Sequence, residues 1–106
     1  MTAEYELKQK MQVLWQKYLP EMNARLATVH SAIEALIQGS LSNDLRNAAA
    51  HEAHKLAGSL GTFGVHEGTV AAREIERLFS EEAMPANMSG ELERNFANLR
   101  QAIERR

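Results

Sequence analysis

The chain has 106 residues, 44% hydrophobic and 25% charged, with a formal net charge of −2, which is the size of a single domain spanning residues 1–106 around one core. The acidic balance and the absence of a Lys/Arg run argue against binding through a nucleic-acid backbone, and the lack of cysteine excludes disulfides, thiolate catalysis and cysteine-based zinc sites. No apolar run approaches the ~20 residues that span a bilayer, and MTAEYELKQK carries acids where a signal peptide is apolar, so a cytoplasmic protein is expected.

Apolar residues recur at helical spacing throughout, and no stretch alternates as a half-buried strand does. A first helix is predicted from about Glu4 to Leu19, with Leu7, Met11, Leu14 and Tyr18 at steps of four, three and four. Pro20 is expected to stop it and to open a second helix, because proline suits a first turn but not an interior. That second helix carries Met22, Leu26, Val29, Ile33, Leu36 and Ile37 on one stripe and ends at Gly39. Ser42 or Asn43 caps a third, whose buried face is Leu45, Ala49, Leu56, Leu60 and Phe63, and Gly61 to Gly64 closes it. A fourth, from about Val65 to Glu82, faces inward with Ala71, Ala72, Ile75, Leu78 and Phe79. After an AMPANMSG loop, a fifth buries Leu92, Phe96, Leu99 and Ile103. Short connections force antiparallel neighbours, so the expected fold is all-α: an antiparallel up-down four-helix bundle with an additional N-terminal helix across one end. Polar outer faces favour a monomer.

Within the third helix, AHEAHKLAGSLGTFG places His54 about 160° from Leu56 on the wheel, pointing to solvent. Its neighbours three, four and seven positions away are Ala50, Ala57, Gly58 and Gly61. A glycine inside a helix costs about 0.5–1 kcal/mol relative to alanine, and two on one face point to close approach of another molecule to the imidazole. Imidazole titrates near pH ~6.5, so at neutral pH one ring nitrogen offers a lone pair, provided that the other donates its proton to an orienting acceptor. Glu76, about 100° from Ile75 at the edge of the fourth helix's buried stripe, is the candidate acceptor. Arg73, Lys55 and Ser59 are candidate phosphate-contacting donors. Glu52 falls near the buried stripe and is read as an edge residue whose head reaches water.

The segment HKLAGSLGTFG, His54 to Gly64, resembles the signature of histidine-containing phosphotransfer (HPt) domains, and GTFG is similar to the N-terminal phosphotransfer domain of chemotaxis-type histidine kinases. The resemblance implies that His54 is the phospho-accepting histidine, Leu56 the buried aliphatic, Gly58 the glycine that makes room for the phosphoryl group, and Glu76 the glutamate that hydrogen-bonds the histidine. It also implies a phosphocarrier without catalysis of its own. A histidine kinase or receiver would load it, and a response-regulator receiver aspartate would accept the group, with no cofactor and no metal held by this chain. One position departs from the pattern: Ala57 stands where most members have a lysine that contacts the phosphoryl group.

Two other classes compete. KLAGSLGTFGVHEGTVAAREIERL also looks like a DNA-binding helix-turn-helix whose second helix opens near Thr69 and Val70, but Glu67 falls where a buried Val or Ile belongs. HEAH, His51 to His54, is one residue short of the zinc-protease spacing, and the outward His54 cannot join an inward bundle metal site.

Overall fold

A computed structural model describes residues 2–81 and 87–106. The described residues form four helices and no strand: α1 (Ala3–Ile37), α2 (Asn43–Thr62), α3 (His66–Ser80) and α4 (Met88–Arg105). None is long and apolar enough to cross a membrane.

The separate N-terminal helix is not found, because α1 runs unbroken through Pro20. Trp15, Met22, Leu26, Val29 and Ile33 are all buried along it, at steps of seven, four, three and four, so one stripe continues across the proline. Pro20 lies about 140° from Trp15 on the wheel and is exposed, so water can reach the carbonyl that its missing N–H leaves free. An interior proline costs about 3 kcal/mol, whereas each large apolar side chain on that stripe gains about 1.5–3 kcal/mol when buried, so continuity wins. The stripe expected of the first helix is the part displaced: Leu7, Leu14 and Tyr18 are 60%, 40% and 43% exposed, and Met11 is half-buried. Ile37 is also exposed, as the last residue of α1.

Local chemistry sets the other boundaries. Thr2 Oγ1 accepts from the Tyr5 amide at 3.2 Å and Ser42 Oγ from the Leu45 amide at 3.1 Å, capping α1 and α2. Both helices end alike, with the amides of Ser40 and Val65 bonded back to the carbonyls of Ala35 and Leu60. Gly39 (φ +73°) and Gly64 (φ +72°) take the left-handed conformation that this ending requires. Arg46 ties the end of α3 to α2, donating from Nε to the Phe79 carbonyl at 2.7 Å and from its terminal nitrogen to the Glu81 carbonyl. Helix α4 starts earlier than expected: Met88 to Gly90 are helical, not loop, and Met88 is buried. The rest of the expected loop, and Glu82 at the expected end of the fourth helix, largely lie outside the described residues.

Neighbouring helices pack antiparallel, as Trp15 on Phe63, Arg25 on Glu52, His54 on Glu76 and His30 against Phe96 show. The core matches the expected faces closely. Ala49, Leu56 and Leu60 of α2, all the named residues of α3, and Leu92, Leu99 and Ile103 of α4 are buried, with Leu45, Phe63 and Phe96 packed at the margin. At 35 residues, α1 is about 52 Å long, close to the 55 Å length of the molecule, so its first turns overhang the bundle.

Candidate functional site

His54 projects from the middle of α2 with 71% of its side chain exposed. Its Nδ1 lies 2.9 Å from Oε2 and 3.3 Å from Oε1 of Glu76, whose carboxylate sits one helix over at 31% exposure. A carboxylate only accepts, so Nδ1 donates in this bond, and in the neutral ring the lone pair then falls on Nε2.

The register of α2 against α3 creates that meeting. Thr69 is buried and bonds through Oγ1 to the carbonyls of Val65 (3.2 Å) and Ala57 (3.4 Å). Next to it Gly68 brings α3 close: a β-carbon there would lie 2.9 Å from Leu60 Cδ1 and 3.4 Å from Ala102 Cβ. Seven residues beyond Thr69, two turns along the same face of α3, comes Glu76. The outward glycines are different in kind. A β-carbon on Gly58 would meet nothing within 4 Å, and one on Gly61 only Thr69 Oγ1 at 3.8 Å. Neither glycine is demanded by packing inside the molecule.

Ala57, expected to line the approach to His54, is 5% exposed and belongs to the core. The reason is its position beside Leu56 and Leu60, over Thr69, where α2 leans on α3. Ala50 is half-buried, so the cleared surface is that of Gly58 and Gly61. Lys55 and Arg73 are exposed and form no ion pair among the described residues, and Ser59 is half-buried. Arg77, one turn past Arg73, is instead committed to Glu74 and Glu81. Its hydrogen bond holds the Glu74 carboxyl below the ordinary value.

Glu52 was expected to reach water; it meets Arg25 of α1, which also binds Glu21 at 2.5 Å. Partial burial works against the Arg25 charge, but the hydrogen bonds that Arg25 donates to Glu52 and Glu21 outweigh it and raise the guanidinium pKa further. The edge position of Glu52 is its signal in the sequence, but which residue of α1 lies opposite is set only by the packing of α1 on α2. Thr69 and Arg46 gave no such signal, since each acts on a carbonyl of another helix.

A helix-turn-helix does not describe this pair. Helix α3 begins at His66, not near Thr69, and Thr69 faces the core of an antiparallel packing. No group of three His, Asp or Glu side chains converges to hold a metal among the described residues.

Neither a search of curated proteins nor one of solved structures found a match. A model of the Hpt domain family matches residues 13–105, nearly the whole chain and the whole of the α1–α4 packing from Trp15 onward. The chain therefore belongs to the Hpt domain family, phosphocarriers that pass a phosphoryl group between histidine and aspartate in phosphorelays with kinase and receiver partners and catalyse nothing on their own.

Proposed function

We propose that His54 is the residue that carries the phosphoryl group, with Glu76 orienting its ring and Gly58 and Gly61 leaving room for the partner. The observation that carries this reading is the exposed imidazole whose Nδ1 is held by Glu76 while Nε2 faces open surface. In the loading step, the Nε2 lone pair attacks the phosphorus of a receiver's aspartyl phosphate in line. The N–P bond forms as the P–O bond to the aspartyl carboxylate breaks, and the pair of electrons leaves on that carboxylate. The ring then bears positive charge, which the Glu76 carboxylate stabilises through the Nδ1–H bond. The reverse sequence passes the group to another receiver. The receiver's acidic pocket supplies the Mg²⁺, and this chain supplies a positioned nucleophile.

With Ala57 in the core, cationic contact to the phosphoryl group falls to Arg73 and Lys55, which have no competing carboxylate among the described residues, with Ser59 as a hydroxyl donor beside Gly58. In this reading the protein acts as a monomeric, cytoplasmic single domain, and its one shared core supports the single domain. Incubation with a phosphorylated receiver and Mg²⁺, followed by mass mapping, tests the assignment. An acid-labile, alkali-stable phosphate on His54, lost in His54→Gln with the helical signal unchanged, is the expected result. Phosphate on His30, His51 or His66 in its place would overturn it.

A further inference from the structure

The N-terminal half of α1 carries an apolar seam that the bundle leaves largely uncovered, with Tyr18 meeting the Phe63 ring at 6.4 Å. Leu7, Met11, Leu14 and Tyr18 recur at the four-three-four spacing by which one helix packs on another, and Leu7, Leu14 and Tyr18 are exposed. Where the seam reaches the bundle, Leu7 and Met11 join Phe63 of α2 to floor a groove of about 570 Å³. Cations border both sides. Lys8 and Arg106 line the groove, Arg106 held by Gln12 at 3.1 Å and over the Trp15 ring at 5.3 Å. Lys10 and Lys17 fall about 40–60° to the other side of Leu14 on the wheel. None of the four forms an ion pair among the described residues, and the lining of this groove includes no carboxylate; Glu6, nearer the tip, lines a neighbouring hollow with Lys10 and Leu14.

We propose that this seam docks an amphipathic helix of a partner protein, apolar on one face and bearing Asp or Glu along both margins. Antiparallel pairing with a second copy, Leu7 opposite Tyr18 and Met11 opposite Leu14, brings Lys17 near both Lys10 and Glu6 of the other copy and so satisfies the cations only in part, whereas a partner with acids along both margins meets every one of them. Phe63 is nine residues from His54, half a turn round α2 and about 14 Å along it, so the docked helix leaves the imidazole open. The family match begins at residue 13, and the outer wall of the groove, Leu7 to Gln12, lies before it. The outer wall of the groove thus lies outside the matched residues while Leu14, Lys17, Tyr18 and Phe63 lie within them, and the surface stands whether or not His54 is phosphorylated.

Two synthetic helical peptides with the same leucine face, one with glutamate margins and one with lysine margins, provide the probe. In NMR titrations of the full chain, the acidic peptide is expected to bind about tenfold more tightly at low salt, an advantage mostly lost at about 0.5 M salt. The amides of Leu7, Met11 and Phe63 should shift while that of His54 does not. Lys8→Glu with Lys10→Glu should abolish the preference, and both changes are at exposed positions that leave the fold intact. His54→Gln should bind the acidic peptide as well as the unaltered chain. Equal affinity for the two peptides, or shifts centred on His54, would overturn the proposal. So would a concentration-dependent dimer that Leu7→Ser dissolves, which would give the seam to a second copy.

Discussion

Two glycine-bearing faces of the α2–α3 pair lie within a few turns of each other and differ in what surrounds them. Gly68 is buried where α2, α3 and α4 meet, and a single added carbon collides with Leu60. Gly58 has open space where its side chain would be, and so, nearly, does Gly61. The inward glycine serves the fold, and its absence of a side chain is a packing requirement. The outward pair weakens its own helix without any internal return, a cost that the proposed approach of a partner to His54 would explain.

Substitution should separate the two faces by sign. Gly68→Val forces branched carbons into the Leu60 and Ala102 contact and is expected to destabilise by about 1–3 kcal/mol, read as a lower urea midpoint. If the midpoint is unchanged, the seam is looser than drawn. Glu76→Gln removes the charge that orients His54 while keeping a side chain of the same shape. Transfer from a phosphorylated receiver should slow about tenfold, equivalent to ~1.4 kcal/mol, with the urea midpoint nearly unmoved because the pair is exposed. Gly58→Ala has the opposite signature from Gly68→Val. It should stabilise by about 0.5–1 kcal/mol through helix propensity alone, while slowing phosphotransfer several-fold because its methyl group enters the partner's approach. A gain in stability with undiminished transfer would break the contrast on which the reading of the open face rests.

The smallest effect is electrostatic. Arg77 holds the Glu74 carboxyl below its ordinary pKa of 4.5, so the pair contributes stability above that value and loses it as pH falls through the lower, folded-state value. Glu74→Gln should therefore lower stability at pH 7 only slightly, since the pair is exposed and screened, and the difference from the unaltered chain should vanish in acid, where the carboxyl is protonated in both states. Acid titration monitored by helical signal checks it.

Much of the site was legible because helical geometry converts spacing into direction. His54 outward, Glu76 at an edge, and the buried faces of α2, α3 and α4 follow from 100° per residue and the position of the apolar stripe. Ala57 escaped that logic. Wheel proximity to His54 placed it outside, but a helix packed between two neighbours buries a wider arc than one stripe suggests.

Residue order alone therefore determined the helical class, the facing of each long stripe and the motif around His54, because these depend on periodicity within one element. The continuity of α1 was decided in the tertiary structure, where burying Trp15 alongside Met22 and Leu26 outweighs the proline that local preference treats as a stop. So were the pairing of Arg25 with Glu52, the Thr69 contact that sets the α2–α3 register, and the exposure of Leu7 and Leu14. Each of these depends on which residue of another helix lies opposite, and that is fixed only when the helices pack together and bury their stripes jointly.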